Sequence, residues 1–407
     1  MKAVMYGAGN IGRGFIAKRF FLSGMETVFI DVNPTLIAGL NAARKYPVYV
    51  TRQGGFEADW VENVSAVDGR DPEAVAREIA GADILATSLG VGVLPRVAKL
   101  LADGILLRQR TSGRPLNILI CENLIGSEEH LRGLVAPYIP EESKDYFLGM
   151  IGFVSVSVCI TVPPTPKEFL EENPLAVCTD DYNELPVDLA AFRPVGAPIP
   201  AVNGMVARSP FGFFIERKLL IHNMGHALMA YCGALKGIDL IYDIACDGEI
   251  KYILTRALLE SARALASRHS IPEDELLQFV EDLMVRFENP LLVDDVLRVG
   301  RDPARKLSAG DRLGGAFKLV RETAGCPAHI AVAIAAGLLF ERAEDPISLE
   351  VSRYTREEGI RAALEKYCSI TDPADVEMIS SIYSILREGW DFKKLVPLLS
   401  GMKHRGH

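Results

Sequence analysis

Two spacings of apolar residues alternate through the first part of the chain. Short apolar runs, KAVMYG (Lys2–Gly7), ETVFID (Glu26–Asp31), DILATSLG (Asp83–Gly90) and LNILICEN (Leu116–Asn123), read as strands buried on both faces. Between them lie segments with helical spacing: Asn10–Gly24, Asn33–Lys45, Asp71–Ala82 and Leu94–Ile105. Gly24 is placed to stop the first helix, and Asn33 with Pro34 to start the second. YPVYVTR (Tyr46–Arg52) and FEADWVENVSAVDG (Phe56–Gly69) alternate polar and apolar residues and predict a hairpin. Strands that alternate with helices predict a mostly parallel sheet with helices on both faces.

The pattern changes after GMIGFVSVSVCITVPP (Gly149–Pro164), which reads as one strand closed by prolines. Residues 165–208 are proline-rich with short extended pieces, the expected far edge of the sheet and a linker. From about Phe211 the periodicity is helical, in Phe214–Leu235, Gly248–His269, Pro272–Asn289, Cys326–Ala343 and Arg356–Ser369. The plan is therefore an α/β domain over 1–205 and an all-helical domain over 206–407. A length of 407 residues with 49% hydrophobic residues is enough for two cores.

Charge and cysteines narrow the class. A net charge of −9 argues against a nucleic-acid partner. The seven cysteines are scattered, odd in number and without a C-x-x-C pair, so neither a disulfide framework nor a cysteine zinc site is expected. The apolar run at the start breaks into glycines too early for a secretory leader, and Ile330–Phe340 is too short to span a bilayer. These features predict a soluble cytoplasmic protein.

Candidate chemistry gathers in three places. The first is GAGNIG, Gly7-x-Gly9-x-x-Gly12, lying between a predicted strand and a predicted helix. In that context Gly7 permits a tight turn, Gly9 lets backbone approach a pyrophosphate, and Gly12 lets the helix pack on the sheet. The predicted fold is thus a Rossmann-type doubly wound sheet followed by helices. The alternatives are a doubly wound domain without a nucleotide and one for S-adenosylmethionine. Asp31 ends the second strand, nineteen residues after Gly12. A carboxylate there accepts from ribose hydroxyls and repels a 2′-phosphate, so NAD is the expected cofactor. The expected contacts are Gly7, Ala8, Gly9, Asn10, Ile11 and Gly12 with Asp31, Asn33, Ser88 and Glu122.

The second place is KLLIHNMGHA, Lys218–Ala227. On an α-helix Lys218, His222 and His226 advance by roughly 40° per step and share a face. A metal would need a third ligand that the segment does not offer. A solvated lysine with core histidines is the plain alternative, but the flanks are nearly all apolar, and buried polar groups need partners or a function. Beside a nicotinamide ring, a desolvated lysine can act as general acid/base and an amide can steady a developing oxyanion.

With these motifs in view, the chain resembles the polyol-specific long-chain dehydrogenase/reductase family. The likeness runs through GAGNIGRGF, NILICENL, ERKLLIHNMGHA and RFENPLLVDDVLRVGRDPARKLSAGDRL. It implies that Lys218 is the general acid/base, Asn223 and Asn123 the oxyanion donors and His226 a substrate contact, with no metal. The chain departs from the family's V-D-R-I-V-P, where Cys159 and Ile160 stand in place of Asp and Arg. Altered substrate contacts and a repacked core are both open readings of that change.

The third place is RVGRDPARKLSAGDR, Arg298–Arg312. Arg301, Arg305 and Lys306 are the expected substrate contacts, for a phosphate or for hydroxyls. The alternative is a solvated loop whose cations pair with Asp294, Asp295, Asp302 and Asp311. The expected partner is a small polyol or sugar phosphate.

Overall fold

The computed structural model describes residues 1–52 and 55–403, and the side chains of all of these except residue 403. The chain divides into two compact units, Met1–Gly212 and Phe213–His407.

The first unit is built on six parallel strands: β1 (Lys2–Tyr6), β2 (Glu26–Asp31), β5 (Val64–Asp68), β6 (Ile84–Thr87), β7 (Leu116–Ile120) and β8 (Ile151–Ser155). Their spatial order is β5-β2-β1-β6-β7-β8. Counted within the sheet alone, that is the 3-2-1-4-5-6 order of a doubly wound dinucleotide fold, with its reversal point between β1 and β6. Successive residues alternate between the two faces of the sheet. Ala3 and Met5 enter one core with Phe15 and Phe29, while Val4 and Tyr6 enter the other with Ile79 and Leu101. The predicted hairpin is β3 (Lys45–Arg52) paired antiparallel with β4 (Gly55–Glu62), and β9 (Val177–Thr179) adds to β3 in parallel. The turn that joins β3 to β4 lies outside the described residues.

Two expectations need correction. The run Gly149–Pro164 is not one strand, because the ladder ends at Ser155. Val156 then bridges Val187 and the Ser157 N–H donates to the Pro186 carbonyl, so the chain leaves the parallel sheet while staying buried. Period-2 apolarity reports burial on a pleated path, and it does not say which strand is the partner. Residues 165–208 are more than an edge and linker. They contain β10 (Leu185–Asp188) paired with β11 (Met205–Arg208), and Leu185, Val187, Phe192 and Val202 belong to the core of the first unit.

The second unit is helical. Helix Gly248–His269 starts on an Asp247 cap that accepts from the Glu249 and Ile250 N–H groups. Helix Ala328–Leu339 is buried from Ala328 through Leu338. Gly225 lets helix Met224–Lys236 close on helix Gly248–His269, since a Cβ there would lie 2.8 Å from the Leu258 side chain. Among the described residues no helix is long and apolar enough to cross a membrane.

Candidate active site

The glycine loop sits at the reversal point of the sheet. Gly7 has φ +106°, and a Cβ on it would lie 2.5 Å from the Ser88 carbonyl oxygen at the end of β6. A Cβ on Gly12 would lie 2.1 Å from the Gly7 carbonyl oxygen. Both glycines are therefore required by the protein's own packing. A Cβ on Gly9 would meet no protein atom within 4 Å, so packing does not explain that glycine. The open space there leaves the loop backbone accessible. The helix that follows opens with a π-helical turn, Gly12–Ile16.

Asp31 ends β2, and its carboxylate accepts the Ala8 N–H at 2.7 Å and the Asn33 N–H at 2.9 Å. It thus straps the glycine loop while keeping lone pairs for further donors. Asn33 caps helix Pro34–Ala43 through Oδ1. Glu122 is buried and already engaged: it accepts the Thr87 hydroxyl at 2.7 Å and the Leu89 N–H at 2.9 Å. Its carboxylate ties the loops after β6 and β7 together. Asn123, beside it, is exposed. Asn10 and Ile11 lie on the first turn after the loop.

Lys218 opens a second π-helical turn, Lys218–Asn223, where an α-helix was expected. On an α-helix residues five apart are separated by about 140°. A π turn closes i→i+5 and brings such residues to one side, so Lys218 and Asn223 share a face because of it. Lys218, Asn223 and His226 are half-buried, and His222 is buried. The His222 ring meets Phe287 edge-on, and its buried Nδ1 has no hydrogen-bond partner among the described residues. Burial, then Arg286, His226, Lys218 and Arg312, hold the His222 pKa well below that of free histidine, so the ring is neutral. His222 and His226 stand 6.3 Å apart by ring centroids. Among the described residues no three His, Cys, Asp or Glu side chains converge as metal ligands.

His226 has a partner that the sequence reading missed. Its Nε2 lies 3.2 Å from Oδ2 of Asp294, a buried carboxylate that also binds Arg298. The one signal was the Asp294–Asp295 doublet in NPLLVDD, where an acid follows an apolar run.

Two family models cover most of the chain. Residues 1–196 match the mannitol dehydrogenase Rossmann domain and residues 212–367 the mannitol dehydrogenase C-terminal domain. The chain belongs to the mannitol dehydrogenase family. Solved structures repeat the fold. A D-sorbitol dehydrogenase in substrate-free form is 16% identical with a TM-score of 0.80, over 98% of this chain and 94% of that one. The mannitol 2-dehydrogenase of Pseudomonas fluorescens, solved with NAD and D-mannitol, is 14% identical with a TM-score of 0.73 over the same shares.

Within this family member, the basic stretch splits into paired and unpaired cations. Arg298 pairs with Asp294, Arg312 with Asp311, and Arg305 with both Asp302 and Asp311. Arg301 is exposed. Lys306 is different. It is only 4% exposed, and among the described residues its ammonium has no hydrogen bond or ion pair. Burial, then Arg312 and Arg305, push its pKa down to about 7 against the opposing pull of Asp302 and Asp311. Cys159, which replaces the family aspartate, is buried, and Ile160 packs against the core of the first unit. Both sit in packed surroundings.

Proposed function

We propose that this NAD-dependent polyol dehydrogenase acts on a phosphorylated polyol, interconverting mannitol 1-phosphate and fructose 6-phosphate. The observation that carries the phosphate is Lys306, a desolvated cation flanked by Arg305 and Arg312 and, among the described residues, in no direct ion pair with the nearby Asp302 and Asp311, which hold Arg305 instead. A buried ammonium without a partner is unfavourable until an anion joins it. Arg305 adds less than its sequence position suggests, since two carboxylates already hold its guanidinium. That same neutralisation is what favours the second reading, an unphosphorylated polyol or sugar acid.

NAD supplies the hydride acceptor. The glycine loop and the helix start behind it suit a pyrophosphate. Asp31 suits unphosphorylated ribose, so NADH is expected to be used far better than NADPH. Lys218 takes the hydroxyl proton during oxidation and returns it during reduction. Asn223, brought round by the π turn, donates an amide N–H to the oxygen as negative charge develops there, and Asn123 is the second donor. His226 holds a substrate hydroxyl.

The test follows NADH absorbance with fructose 6-phosphate and with fructose. Efficient reduction of fructose 6-phosphate with fructose poor supports the assignment. Equal use of the two ketoses overturns it and leaves the dehydrogenase of an unphosphorylated polyol.

A further inference from the structure

Asp294 has a geometry that assigns more than a salt bridge. Its Oδ1 accepts the Asp295 N–H at 3.0 Å and Arg298 Nε at 2.6 Å. Its Oδ2 binds a second Arg298 nitrogen and faces His226 Nε2 at 3.2 Å. The carboxylate side chain is 3% exposed. An ionised carboxylate can only accept hydrogen bonds, so the Nε2 facing it carries the proton. His226 lies nearly flat on Phe287, with ring centroids 5.6 Å apart and planes at 29°, which fixes the plane of the imidazole.

We propose that Asp294 is a positioning residue: by accepting the Nε2–H of His226 it holds the ring in one tautomer, with Nδ1 as a bare acceptor for a substrate hydroxyl. The assignment rests on the reading of Lys218, Asn223 and His226 as the catalytic segment. It deepens that reading by giving His226 a polarity opposite to that of Asn223. The amide donates to an oxygen that gains negative charge, while the imidazole accepts from an oxygen that stays a hydroxyl. His226 in this state can neither donate to an oxyanion nor bind a phosphate.

The surroundings keep the ring neutral. Burial is the largest influence lowering the His226 pKa; Asp294 opposes it, and Arg298 and Arg312 add to it. Lys218 and His222 on its own helical segment and Arg286 on helix Glu273–Phe287 are the other charged and titratable groups named around the two histidines among the described residues. Against burial, which would raise it, the contact with His226 and then Arg298 hold the Asp294 carboxyl low, at about 2, so Asp294 stays an acceptor through the working pH range.

The test is nitrogen NMR of the full chain labelled at histidine, at neutral pH, with His222→Asn and His226→Asn used to assign the two rings among the seven histidines. The expected wild-type ring of His226 is neutral and protonated at Nε2. Asp294→Asn can turn an amide N–H toward Nε2, so the proton is expected to move to Nδ1. In the same variant kcat should fall about 10–100-fold, the range for partners that orient a functional ring, while the NADH dissociation constant stays unchanged. Arg298→Ala, which removes a half-exposed side chain from Asp294, should keep the tautomer and give a smaller loss in kcat. An imidazolium or an Nδ1–H ring in the wild type overturns the proposal, and that measurement stands even if Asp294→Asn fails to fold. So does an Asp294→Asn protein with wild-type tautomer and kcat. A wild type with the Nε2–H ring but no activity on any polyol or ketose would keep the Asp294–His226 pair and overturn the functional reading.

Discussion

Both candidate segments carry a π-helical turn, Gly12–Ile16 in the first unit and Lys218–Asn223 in the second, and the two turns place different groups. At the glycine loop the chemistry is backbone. Side chains matter there by being absent, as at Gly7 and Gly12, where a Cβ would strike a carbonyl oxygen. At Lys218 the chemistry is side chain. The turn matters by rotating an amine and an amide to the same side, and one histidine is oriented by an aspartate far along the chain. The positive φ of Gly7 is local in sequence, whereas the side-chain site depends on partners that only packing supplies.

The sharpest way to break this contrast is at the side-chain site. Lys218→Ala should lower turnover by about 10²–10⁴-fold, the range for a positioned acid/base, with NADH binding nearly intact by fluorescence titration. Near-normal turnover would remove the lysine from the chemistry and reduce the second segment to a structural helix.

Lys306 tests whether an unpaired buried cation is the phosphate contact. Lys306→Met should raise KM for fructose 6-phosphate by roughly 10–150-fold, equivalent to a charged hydrogen bond of about 1.5–3 kcal/mol. With its pKa near 7, the free enzyme loses this charge as pH rises. Hence kcat/KM for the phosphate should decline above neutral pH, and Lys306→Arg should flatten the decline. An unchanged KM in Lys306→Met would leave the phosphate without its cation.

At the backbone site two glycines separate packing from ligand approach. Gly12→Ala should destabilise the first unit by about 1–3 kcal/mol, the usual range for overpacking, because its Cβ would press on the Gly7 carbonyl. Gly9→Ala should leave the melting temperature almost unchanged, within about 0.5 kcal/mol of stability, yet weaken NADH binding. A Gly9→Ala protein with normal NADH affinity would show that the loop is not approached there.

The smallest expected effect is on acid stability. His222 is neutral in the fold, with its pKa lowered well below the value of 6.5 it has when exposed. The unfolded chain therefore binds a proton first as pH falls. This contribution is full above about pH 6.5 and weakens below it by up to about 1.4 kcal/mol per pH unit. Denaturant unfolding of His222→Leu should show a shallower acid limb than wild type. An identical acid limb would mean that the ring is not buried neutral.

The strands, the glycine turn and the helical second half were legible because each rests on local rules of spacing and backbone freedom. Asp31 and the Asn33 cap were legible for the same reason, as they follow directly from the end of one strand. The ladder's end at Ser155 was not, because Val156 and Ser157 leave for partners near residue 187 that no periodicity names. The basic stretch was legible as a charge cluster only. Adjacent residues Arg305 and Lys306 read alike in sequence, yet one is held by two carboxylates and the other is buried with no ion pair among the described residues.

By itself, then, the sequence determined the alternation of strands and helices, the glycine turn at Gly7–Gly12, and the residue types of the Lys218–Ala227 segment. Those follow from the backbone's own sterics and from residue identity. The tertiary structure decided which cation stays unpaired, how Lys218 and Asn223 come to one face, and which acid fixes His226. Each of these depends on the position of a group distant in sequence, and charge pairing and desolvation act through space.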